Sequence, residues 1–141
     1  AEGSLELWKL AIKPGKPLAA GKVGGTQFFG LPGNPVSAII TFVLIVRPCL
    51  LRMSGCDSLM PASFYLPAAF ARPESGQRQE YLRVTVQAGE DSKQSLLPFN
   101  NQSSGVGSSL SGADGLAIIP AYTSVAVGDS LQYIPFSELL N

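Results

Sequence analysis

The chain has 141 residues, ten basic and ten acidic side chains, and no histidine. With no net charge there is no broad field to gather nucleic acid or coat an anionic membrane, so any anion site must be built locally. Without imidazole, Ser-His-Asp and Cys-His catalysis and His-ligated metal sites are excluded, while 45% hydrophobic against 14% charged residues suits a packed core rather than disorder.

From Leu5 to Lys13 the apolar residues recur with a period near two, which predicts a strand ending at Pro14-Gly15. A second Lys-Pro pair, Lys16-Pro17, leads through Leu18-Ala19-Ala20 to the turn Gly24-Gly25 and a second strand, Thr26 to Leu31. Next comes Gly30-Leu31-Pro32-Gly33-Asn34-Pro35-Val36-Ser37, a strand-to-helix junction. Gly30 and Gly33 allow close approach or positive φ, Asn34 is a good N-cap, and Pro35 suits the first helical turn.

The helix carries apolar residues at Val36, Ile39, Ile40, Val43, Leu44, Leu50 and Leu51, with Ser37 and Thr41 on another face. Pro48 is expected to kink it and Gly55 to stop it. The apolar run Val36–Val46 is short of the ~20 residues of a membrane span, so it predicts a buried helix and no membrane association. Ala1–Ser4 has no secretory pattern, and Cys49 and Cys56 match neither CxxC nor a disulfide framework. The expectation is a cytoplasmic protein with free thiols.

Composition shifts near Met60, which predicts two domains, 1–60 and 61–141. In the second, helical periodicity gives way to candidate strands at Ser63–Ala71, Glu80–Ala88, Gln94–Pro98, Gly115–Ile119 and Ser130–Pro135, the pattern of a small β-barrel or sandwich. Asn100–Gly112 is rich in serine and glycine and lies between two of these strands, where a long loop tends to be functional. Trp8, Phe28, Phe29, Phe42 and Phe64 are expected in the core.

Three features have the chemistry of an oxyanion site. Lys13 and Lys16 flank a Pro-Gly turn as two point charges; the 30–37 loop offers N–H groups at a helix N-terminus, with Ser37 as an added donor. Arg83, in the alternating strand Tyr81–Val86, could act with Ser103, Ser104, Ser108, Ser109 or Ser111 of the serine-rich loop. Taken singly, each also has an ordinary reading: solvated lysines, a well-capped helix, a surface arginine beside a flexible loop.

Together, KPGKP at 13–17, GLPGNPVSA at 30–38, EYLR at 80–83 and NQSSGVGSSLSGADGLAIIP at 101–120 resemble, in that order, the C-terminal part of the molybdopterin molybdenumtransferases, the MoeA and gephyrin E-domain family. The resemblance implies an α+β chain: the end of a three-layer α/β molybdopterin-binding domain, with strands and one long helix, then a small β-barrel domain. It implies insertion of molybdate into adenylylated molybdopterin with release of AMP, assisted by magnesium held by residues outside this chain, in a cytoplasmic homodimer that binds molybdopterin and molybdate and neither nucleic acid nor membrane. It designates Lys13, Lys16 and Arg83 as catalytic, and Pro17, Gly30, Pro32, Gly33, Asn34, Ser37 and Ser109 as substrate-binding. Because members of the family are longer, it also implies that this chain is a part that does not turn over alone. The alternative is a non-catalytic interaction or oxyanion-binding module derived from the family.

Overall fold

The structure, a computed structural model, describes residues 3–15, 17–100, 102 and 108–139. Four strands come first: β1 (Gly3–Lys9), β2 (Ile12–Lys13), β3 (Pro17–Val23) and β4 (Thr26–Gly30). β1, β3 and β4 form an antiparallel three-stranded sheet with β3 central, in register Leu5 to Gly21 and Ala19 to Gly30. The single strand expected over 5–13 is therefore two, and Ile12–Lys13 leaves this sheet for another. β3 extends well beyond its apolar residues because it is paired on both edges, a context that outweighs the low strand propensity of Ala, Gly and Lys.

The helix begins at Pro35 with Asn34 as N-cap, its Oδ1 accepting the Ser37 N–H at 3.4 Å. It runs as α1 (Pro35–Thr41), a π-helical turn at Phe42–Val46 and α2 (Arg47–Met53). Pro48 does not break it: the wider turn, in which the Arg47 N–H reaches the Phe42 carbonyl, sits just before the proline ring. The stop is as expected, with Gly55 at φ 86°, its N–H bonded to the Arg52 carbonyl and that of Cys56 to the Leu51 carbonyl. The continuous helix spans 19 residues and is long and apolar enough to cross a membrane, which the shorter run Val36–Val46 did not suggest. Val36, Ile40, Val43 and Leu44 are instead buried against a sheet, as in the core helix of a folded domain.

That sheet is built from β5 (Phe64–Pro67), β6 (Gln79–Ala88), β7 (Gln94–Pro98), β8 (Gly115–Ile119) and β9 (Ser130–Pro135), with β2 as its sixth strand. The order is β2-β6-β8-β9-β5, and β7 also pairs with β6. Four of the five predicted strands coincide with these to within a residue; the first is shorter than expected. The strand pairings do not close into the barrel that was expected. β5 and β7 share no strand pairing among the described residues; just after β5, Ala68 bridges Leu96 and the Ala69 N–H donates to the Leu96 carbonyl at 2.9 Å. Pro67, next to the bridge, has no N–H with which to extend it. Two short helices complete the fold, α3 (Ser108–Ser111) and α4 (Phe136–Leu139).

Alternation on β6, β8 and β9 divides the core in two. Leu82, Val84, Ala117, Ile119, Leu131 and Tyr133 point to the concave side, where they meet Ala68, Leu96 and Val125. Leu116 and Ile134, with Tyr81 and Ile118 partly buried, point to the other side and hold the long helix and Leu139. Of the aromatics expected inside, Phe28 and Phe29 are half-buried, but Phe42 is 38% and Phe64 52% exposed. Phe42 lies on the helix face turned away from the sheet, and Phe64 opens the edge strand β5. The Trp8 side chain lies outside the described residues.

Candidate functional site

Parallel pairing of β2 with the start of β6 sets Lys13 opposite Glu80, and the Gln79 N–H donates to the Ala11 carbonyl at 3.0 Å. This joins the Lys-Pro-Gly turn to the Glu-Tyr-Leu-Arg strand, almost 70 positions later in the sequence. Gly15 then adopts φ 108° against the helix, where an added Cβ would lie 2.7 Å from Thr41 Oγ1. Left-handed backbone and lack of space both demand glycine here. Ser37 and Thr41, 7% and 0% exposed, form the helix face that receives the turn.

Between these elements lies a cavity of about 510 Å³. It collects most of the predicted residues: Lys13, Pro32, Gly33, Asn34, Ser37 and Arg83 all line it. Gly33 has open space where its Cβ would be, so its lack of a side chain keeps this wall of the cavity recessed; its φ is not positive. Gly30 is not brought there. It ends β4 opposite Ala19, with no positive φ, and an added Cβ would lie 3.0 Å from the Ala19 Cβ. Pro17 pairs with Lys9 at the start of β3, and Ser109 falls in α3, but the side chains of both lie outside the described residues. Lys16, Ser103 and Ser104 lie outside them altogether.

Arg83 is the pivot of the site. It is 1% exposed, its Nε has no hydrogen-bond partner, and burial pulls its pKa below the usual guanidinium value while the nearby Glu80 carboxylate works in the opposite direction. An arginine remains cationic in spite of such a shift. The ordinary surface reading of this residue is therefore excluded.

Sequence reasoning missed Arg72, Arg78, Glu80, Tyr81 and Gln102 as cavity residues. Glu80 is 5% exposed and accepts a hydrogen bond from Arg72 Nη2 at 2.6 Å. The Tyr81 hydroxyl accepts from Gln79 Nε2 at 2.8 Å; burial, the larger effect, raises its pKa and keeps it neutral. Glu80 and Tyr81 stood within the EYLR motif, but Arg72 and Arg78 belong to an irregular stretch whose course no periodicity reveals.

Among its described lining residues the cavity has four basic side chains, Lys13, Arg72, Arg78 and Arg83, and one carboxylate, which is already engaged. An electrically balanced chain thus concentrates positive potential at one place. A buried donor without a partner, the Arg83 Nε, suits an oxyanion. The same residues do not fit magnesium: Glu80 is paired with Arg72, and no group of three acidic or cysteine ligands occurs among the described residues.

Comparison with known proteins agrees with this architecture. The sequence profile of the MoeA C-terminal region (domain IV) matches residues 65–136. A molybdopterin molybdenumtransferase of Haemophilus influenzae is 31% identical over 98% of this chain and 35% of its own length. The molybdenum cofactor synthesis protein cinnamon of Drosophila melanogaster is 35% identical over 82% of this chain and 19% of its own. Among solved structures, a molybdopterin biosynthesis MoeA protein from Pyrococcus horikoshii superposes with a TM-score of 0.71 and 29% identity, over 95% of this chain and 32% of that one. The chain spans about a third of the length of the first curated relatives that it matches. On the profile match, the relatives and the shared fold, the chain belongs to the MoeA family, in which it corresponds to the C-terminal region.

Proposed function

We propose that the cavity binds molybdate and that the chain serves molybdenum cofactor biosynthesis, as the C-terminal portion of an enzyme that inserts molybdate into adenylylated molybdopterin and releases AMP. The observation that carries this reading is the buried Arg83, with an unpartnered Nε, lining one cavity with Lys13 and Ser37 from two other motifs. Molybdate is a tetrahedral dianion. Lys13 and Arg83 neutralise it, with Lys16 completing the lysine pair, and the Ser37 hydroxyl and Ser109 donate to its oxygens. Pro17, Pro32, Gly33 and Asn34 shape the pterin side, and Gly30 shapes it only through the strand it ends. Catalysis then comes from holding the oxyanion against the dithiolene and stabilising its charge, not from proton transfer.

In this reading residues 1–60 end an α/β domain and residues 61–141 form a C-terminal domain whose curled sheet is an incompletely paired barrel. Magnesium would be held by groups outside this chain. The protein acts in the cytoplasm as a homodimer, and the chain alone does not turn over. The exposed Ile39, Phe42, Leu50 and Met53 along the long helix support a partner surface.

Calorimetric titration tests the reading. Molybdate should bind saturably at one site, weaken at least tenfold in Arg83→Ala and Lys13→Ala, and bind more tightly than sulfate or phosphate. Equal affinity for the three anions would make this a general oxyanion module, and no binding would leave a non-catalytic relative.

A further inference from the structure

The strand that carries Arg83 has, on one edge, a gap in its strand pairing at that residue. One edge of β6 is covered by β8 from Glu80 to Val84; the opposite edge is covered by β2 up to Glu80 and by β7 from Val84 onward. On that edge, between β2 and β7, no strand among the described residues lies beside the Arg83 peptide, and Arg83 lines the cavity there.

A side chain from the serine-rich loop fills the gap. Gln102 Nε2 donates to the Arg83 carbonyl at 2.8 Å and to the Phe99 carbonyl at 2.7 Å, while its Oε1 accepts the Arg83 N–H at 3.3 Å. The Phe99 N–H also donates to the Arg83 carbonyl, at 2.9 Å. A primary amide is the side-chain group that presents a donor and an acceptor side by side, as a neighbouring strand would. The Arg83 Nε has no partner of its own, and the hydrogen bonds on this edge of the residue are made by its peptide group.

We infer that Gln102 is a positioning residue: its amide splints the Arg83 peptide across the gap between β2 and β7 and ties the oxyanion-binding arginine to the Phe99 peptide that follows β7. The inference rests on the oxyanion reading given above. It predicts that Gln102 and Arg83 are energetically coupled. Removing the amide leaves the Arg83 N–H without its partner on this edge and its carbonyl to the Phe99 N–H, and anion affinity falls as the arginine loosens.

The test is a double-mutant cycle read by molybdate titration, with hydrogen exchange at the Arg83 amide as a second readout. Gln102→Leu should weaken molybdate about tenfold, the size of one well-placed hydrogen bond, keep a cooperative melt, and speed exchange of the Arg83 N–H. In an Arg83→Lys background, where the planar fork is gone, the same substitution should change affinity less than about twofold. Should Gln102→Leu lose its cooperative melt, Gln102→Asn, which keeps both groups with a shorter reach, is read by the same measures. Wild-type binding with unchanged affinity in the Gln102 variant, or an equal loss in both backgrounds, would overturn the inference alone. Absence of molybdate binding by the wild type would overturn the oxyanion reading and this inference with it.

Discussion

Replacing Arg83 by methionine should make the ligand-free chain more stable and the molybdate-bound chain less so. The guanidinium is 1% exposed and its Nε is an orphan donor, a defect that costs about 1–3 kcal/mol. Attraction to Glu80 offsets part of that cost. Methionine fills similar space without a charge, and Glu80 keeps Arg72 at 2.6 Å, so no carboxylate is orphaned in exchange. Exchanging buried charges for apolar side chains can stabilise by roughly 1–4 kcal/mol, which after the loss of the Glu80 attraction leaves an expected gain near 1 kcal/mol, or about 3–4 °C for a chain of this size. With molybdate at a hundredfold excess over the wild-type Kd the wild type gains about 2.7 kcal/mol and a variant weakened at least tenfold gains at most about 1.4 kcal/mol, so their order reverses. Urea melts with and without molybdate read both halves. A variant that is less stable in anion-free buffer, or that molybdate stabilises as much as the wild type, would refute the reasoning.

Other outcomes follow from the same geometry. Gly15→Ala should cost about 1–3 kcal/mol in a urea melt, because φ 108° and the 2.7 Å approach to Thr41 Oγ1 both oppose a Cβ, and Thr41→Ala should recover only the steric part. Leu116→Ala, at a fully buried position joining sheet to helix, should cost about 2–5 kcal/mol by the same measurement. Burial raises Tyr81 and Tyr133 above the ordinary 10.0, so the unfolded chain loses these protons first. Stability is then complete below about pH 10 and falls as pH rises from there through the folded-state values. Tyr81→Phe together with Tyr133→Phe should flatten that fall in pH-dependent melts; an unchanged slope would exclude the two tyrosines as its cause.

Local rules made much of this fold legible. The helix start at Asn34-Pro35, its end at Gly55 and the alternating strand around Arg83 each follow from a residue-level cause, and the structure has all three. Where pairing depends on distant partners the sequence was silent. Pro17–Val23 looks poor as a strand until both neighbours are present, and Ile12–Lys13 continues a pattern begun in one sheet while pairing in another. At the site, motifs with a recognisable spacing led to Lys13, Ser37 and Arg83. Arg72 and Arg78 reach the cavity through irregular backbone, and Gln102 matters through a gap between two strands, a feature of topology rather than of composition.

The measurement closest to the central claim is a molybdenum-edge anomalous difference map from crystals of this chain grown with molybdate. The account predicts one dominant peak in the cavity, within hydrogen-bonding reach of the Arg83 guanidinium and the Ser37 hydroxyl. Peaks confined to surface lysines, with the cavity empty at saturating molybdate, would contradict it.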